Sequence, residues 1–129
     1  EIGGTVSVID PNAKDGPVIV KKISFAVPGI VPEALQPVGV ISTSDGRYVF
    51  VALGPSNRIA VIDAKSDKVI DYLLVGQRVW QLALNSAETF LVSTNGNSND
   101  VSFIDIRTLK VLKSSQVGRQ PWGVAIKAD

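Results

Sequence analysis

Residues 37–78 repeat as residues 79–120 without a gap. At an offset of 42, Ser44, Gly54, Ser56, Asn57, Ile62, Asp63, Lys68, Val69, Val75 and Gly76 meet Ser86, Gly96, Ser98, Asn99, Ile104, Asp105, Lys110, Val111, Val117 and Gly118. The stretch "VGQRVWQLAL" (75–84) returns as "VGRQPWGVAI" (117–126). A partial copy leads the chain: "VSVID" (6–10) matches "IAVID" (59–63) and "VSFID" (101–105), and this copy is longer by 11 residues between Asp10 and Pro37. Another copy begins at Pro121. A chain built this way stacks like units, because one unit cannot bury its apolar face alone.

The content of the unit sets its architecture. "PVGVIST" (37–43), "YVFVAL" (48–53), "RIAVIDA" (58–64) and "KVIDYLLV" (68–75) are short and rich in β-branched residues,. The separators "SDGR", "GPSN" and "AKSD" supply turn residues,. No window holds a helical period. A period of 42 with four strands per unit is that of a propeller blade,. The expectation is an all-β chain, a β-propeller segment of two complete four-stranded blades plus three strands of incomplete ones. Residues 1–27 would hold the third and fourth strands of a blade, 37–75 and 79–117 one full blade each, and 121–127 the first strand of the next or closing blade.

Composition narrows the function classes. The net charge is +1, from 13 basic and 12 acidic residues spread without runs. That argues against a nucleic-acid or membrane-surface footprint. No apolar stretch approaches a membrane span in length. Histidine, cysteine and methionine are absent. Disulfides, thiol nucleophiles, histidine metal sites and Ser-His or Cys-His pairs are thereby excluded. No catalytic residues, no metal site and no cofactor are assigned.

Recurrent residues invite a site reading, and the repeat favours a structural one. Trp80 and Trp122 sit at matching positions, as large apolar residues packed between blades do. By strict alternation Trp80, Leu82 and Leu84 share a face, as do Trp122, Val124 and Ile126. Asp10, Asp63 and Asp105 each close a third strand, where an aspartate accepts bonds from turn amides two residues on. "NGNSND" (95–100) has residues able to ligate calcium. They are also turn residues, and the matching "GPSNRI" lacks the acid.

The quoted strands are similar to YVTN-type β-propeller repeats. The run from "EIGGTVSVID" through "PGIVPEALQPVGV" and "VGQRVWQLAL" to "VGRQPWGV" resembles the C-terminal portion of β-propeller proteins associated with catabolism dependent on pyrroloquinoline quinone (PQQ). The insert and "VGQRVWQLA" carry the specificity. The resemblance implies an exported, periplasmic protein supporting PQQ-dependent alcohol oxidation, and it carries over no catalytic motif. Members are longer, so the chain is expected to be the C-terminal part of such a protein.

Links from second to third strands, and from one blade to the next, emerge on one face of a propeller. Here they collect residues 54–58, 75–78, 95–100 and 117–120 with the insert 27–36. Loops on a rigid scaffold are where function concentrates. The candidate binding residues are Glu33, Gln36, Arg58, Arg78, Trp80, Arg119 and Trp122. The expected role is a non-catalytic binding or scaffold propeller, whose partner is a small molecule or a periplasmic protein. The alternative is a propeller enzyme, lactonase-like or a quinoprotein-like oxidoreductase, with its chemistry in blades outside this chain. Exposed blade faces lead to the further expectation that the segment by itself self-associates.

Overall fold

The computed structural model describes residues 2–128. Ten strands form three antiparallel sheets. β1 (Thr5–Asp10) pairs with β2 (Val18–Ser24). The first blade orders β3 (Val40–Ser42), β4 (Tyr48–Ala52), β5 (Arg58–Asp63) and β6 (Lys68–Leu74) side by side. The second orders β7 (Val79–Leu84), β8 (Phe90–Asn95), β9 (Asp100–Asp105) and β10 (Lys110–Gln116) in the same way. The one helical element among the described residues is a 3-10 turn at Pro32–Ala34 in the insert. The all-β, four-stranded repeat thus stands as expected.

The middle strands are buried on both faces, which is why "YVFVAL" is apolar without a break,. Tyr48, Phe50 and Ala52 point toward the second blade, where Leu82, Leu91 and Ile104 meet them. Val51, Leu53, Ala60 and Ile62 point the other way, against Ile23, Phe25 and Leu35. The core is therefore a pair of apolar layers between sheets.

The backbone repeats more faithfully than the sequence. Left-handed conformations occur at Gly46, Asn57, Asp67 and Arg78, and 42 residues later at Glu88, Asn99, Leu109 and Gln120. Aspartates close the turns as expected: Asp10, Asp63 and Asp105 each accept from a backbone N–H two residues on, at 2.8–2.9 Å. At the same end of the blades, both carboxylate oxygens of Glu88 accept the Ser44 N–H at 3.0 Å.

Each outer strand carries a bulge at the same place. Val20, Ile70 and Leu112 have no partner in the ladder with β1, β5 and β9, and are 59%, 50% and 54% exposed.

Three details differ from expectation. Residues 121–127 form no strand, since among the described residues no second strand lies alongside to complete a ladder. The first inner strand is regular only from Val40, although Val38 N–H donates to Ala52 O and Ala52 N–H to Gly39 O ahead of it. In β7 a bulge breaks the alternation: Val79 pairs with Asn95 but Leu82 with Ser93, so Trp80 and Gln81 together oppose Thr94,. Val79 and Leu82 both enter the core, and Trp80 is turned out of it.

Candidate functional site

The loop end of the blades is assembled by hydrogen bonds between links. The link 75–78 joins the blades and is held from both sides. Asn57 O accepts the Val75 N–H at 2.9 Å, and Asn57 Oδ1 accepts the Arg78 N–H at 2.8 Å. From the second blade, Ser98 Oγ accepts the Gln77 N–H at 2.9 Å. Gly96 and Asn97 N–H groups donate to Arg78 O and Gln77 O at 2.9 and 3.0 Å. Both peptide donors and both acceptors of residues 77 and 78 are thereby used. Positive φ at Arg78 is a property of this turn and not of arginine, because Gln120 repeats it and donates its N–H to Asn99 Oδ1 at 2.9 Å.

The β7 bulge aims Trp80 at this end. Thr94 Oγ1 accepts the Gln81 N–H at 3.0 Å and donates to Trp122 O at 2.8 Å, which satisfies the bulge and draws the 121–123 segment alongside. The two indoles meet edge to face, 6.5 Å between centroids at 68°,. A Cβ on Gly96 would lie 2.6 Å from Trp80 Nε1, so the indole seats only on a glycine. The Arg78 guanidinium stacks on the Trp80 ring, 4.6 Å from its centroid,.

These residues form a cavity of about 300 Å³, lined by Trp80, Gly96, Asn97, Gln120 and Trp122. Trp122 is 63% exposed. The lining offers two aromatic rings and two amides, with the Arg78 cation stacked on one ring. It includes no carboxylate. The chemistry available is stacking, amide hydrogen bonding and attraction for negative charge.

The structure divides the sequence-derived set. Trp80 and Trp122 line the cavity and Arg78 stacks on its wall. Arg119 is exposed, one residue before the lining Gln120. Arg58 turns back on its own loop, donating from Nη1 to Ser56 O at 2.7 Å. Glu33 borders a different cavity beside Pro32 and Leu35. Gln36 Nε2 donates to Glu33 O at 2.8 Å, and Gln36 O closes on Gly54. Gly96, Asn97 and Gln120 line the cavity but were not among the individual candidate residues, although their loops, 95–100 and 117–120, were. Gly96 had a signal of its own, its match with Gly54; Asn97 had none. Asp100, a turn or calcium candidate in sequence, accepts at Oδ1 from Asn95 Nδ2 and Ser98 Oγ at 2.7 and 2.8 Å.

No protein-family model matches the chain, and no curated protein matches it in sequence. Among solved structures it is similar to the hydrazine synthase of Kuenenia stuttgartiensis, with a TM-score of 0.66 and 23% identity over 75% of this chain. It is also similar to U3-55K, with a TM-score of 0.60 and 16% identity over 67% of this chain. Both are β-propeller proteins, and the chain spans 28% of the length of each. The chain has the β-propeller fold, and its two complete sheets are blades of it.

Proposed function

We propose that the chain is part of a non-catalytic binding propeller whose mouth takes a small polar or anionic molecule. The setting proposed for it is periplasmic PQQ-dependent alcohol catabolism. That setting rests on the likeness of "PGIVPEALQPVGV" and "VGQRVWQLAL" to YVTN-type propellers of that pathway. The binding role rests on one observation: a guanidinium stacked on an indole beside a cavity lined by rings and amides. Such a wall favours a flat ligand bearing a carboxylate or comparable acceptor. The lining has no nucleophile or carboxylate to turn a ligand over, which favours binding above catalysis.

Both tryptophans of the chain lie at this mouth, so intrinsic fluorescence reports on it directly. A thermal-shift screen of carboxylates and quinones identifies a binder, and calorimetric titration measures it. The double variant Arg78→Ala/Arg119→Ala should bind at least tenfold more weakly. Unchanged affinity would reject the mouth as the site.

A further inference from the structure

The second blade buries polar side chains where the first buries apolar ones. Ser93, Asn95 and Ser102 occupy positions held 42 residues earlier by Val51, Leu53 and Ala60, and all six are buried. Packing at these positions is thus served by hydrocarbon in one blade. Burying polar groups there costs free energy that only their own hydrogen bonds offset. Those bonds form a connected set. Ser93 Oγ donates to Asn95 Oδ1 at 3.2 Å. Asn95 Nδ2 donates to Asp100 Oδ1 at 2.7 Å and to Ser102 Oγ at 2.9 Å. Ser98 Oγ donates to the same Asp100 oxygen at 2.8 Å and accepts the Gln77 N–H at 2.9 Å. Among the described residues no buried side-chain nitrogen or oxygen is left without a partner.

The set ends on the link that carries Arg78. A Cβ on Gly76 would lie 2.5 Å from Asp100 Oδ1 and 2.6 Å from both Asn95 Nδ2 and Ser98 Oγ, so the link backbone rests directly on the cluster. The first blade has no counterpart, because Arg58 stands at the position of Asp100 and bonds its own loop. A fully satisfied buried network specifies one arrangement where hydrocarbon tolerates several.

We infer that Asp100 is a positioning residue of the mouth: through Ser98 and Asn95 it fixes residues 76–78, and these fix Arg78 over Trp80. Its carboxylate takes two charge-assisted bonds, the stronger kind. The effect on ligand affinity rests on the binding role proposed above; the effect on the empty mouth does not.

The test compares three variants of the full chain by NMR relaxation of the Trp80 indole N–H, with benzoate as a planar carboxylate probe. Asp100→Ala removes the acceptor, Asp100→Asn keeps an acceptor without the charge, and Ser98→Ala cuts the relay on a loop without opening the core. The wild-type indole should have an order parameter near the rigid value of about 0.85, and Asp100→Ala should take it below about 0.6. Ser98→Ala should loosen Trp80 as well while melting close to wild type, and Asp100→Asn should restore most of the order. A purely structural role would lower the melting temperature and leave Trp80 rigid in every variant that folds. Trp80 as rigid in Ser98→Ala as in wild type would overturn the inference even if Asp100→Ala failed to fold. Loosening of Trp80 with no change in benzoate affinity would uphold the positioning and remove the mouth as a carboxylate site.

Discussion

Asn57 reaches across a blade boundary to Arg78: its side-chain oxygen accepts the Arg78 N–H at 2.8 Å, and Asn99 does the same for Gln120 at 2.9 Å. Both asparagines also sit at positive φ, 60° and 57°. One residue type therefore meets two demands, tolerance of the left-handed region and a short acceptor.

Replacing Asn57 separates those demands. Asn57→Gly keeps the backbone and loses the bond, and should cost about 1 kcal/mol. Asn57→Ala loses both, and should cost roughly 2–3 kcal/mol. Urea unfolding of the two variants checks the order; equal losses would mean that the bond alone matters.

Gly76 and Gly118 occupy matching places, yet their surroundings differ. Gly76 abuts the Asp100 carboxylate, and Gly118 has nothing within 4 Å of a built Cβ. Gly76→Ala should destabilise by about 1–3 kcal/mol, the cost of overpacking. Gly118→Ala should stay within about 0.5 kcal/mol of wild type, as exposed changes do. Paired melting curves decide it.

Tyr48 and its counterpart Phe90 measure what a neighbouring blade covers: the first is 8% exposed and the second 43%. The chain is proposed to self-associate through the face that bears Phe90 at micromolar concentration. Light scattering should give a mass above that of one chain, and Phe90→Ser should lower it. A stable monomer in both would reject the proposal.

Two turn carboxylates tie stability to acid. The Thr43 hydroxyl, then the Arg47 N–H, hold Asp45 below its ordinary 3.8. The Ser66 N–H, then the Lys65 N–H, do the same for Asp63. A depressed folded pKa contributes stability above 3.8 that is lost as pH falls through the folded value,. The unfolding midpoint should therefore be flat above that point and fall below it. The double variant Asp45→Asn/Asp63→Asn should fall less steeply, and an unchanged slope would remove these turns as the cause.

The blades were legible because their signal is written twice. An ungapped repeat averages out local ambiguity, and β-branched runs between turn residues fixed the type of each element. Trp80 was misread because alternation assumes one residue per ladder step, and its bulge inserts an extra one,. Strand 121–127 was misread because a ladder needs a neighbour, which propensity cannot provide. The grouping of the candidates was half legible: the two tryptophans and Arg78 come together at one cavity, and Glu33, Gln36 and Arg58 serve their own loops. Asn57 was visible as a repeated residue, but its partner lies 21 positions on and only the fold brings the two together.

The displaced residues of β2, β6 and β10 bear on how such sheets can grow. A flat outer strand offers an uninterrupted row of N–H and C=O groups to any extended chain. Val20, Ile70 and Leu112 interrupt that row at the same height in all three sheets. Addition is thereby steered to the broad faces and away from the rim. An array built on this rule lengthens by stacking, one sheet upon the next, and its circumference stays closed to stray strands.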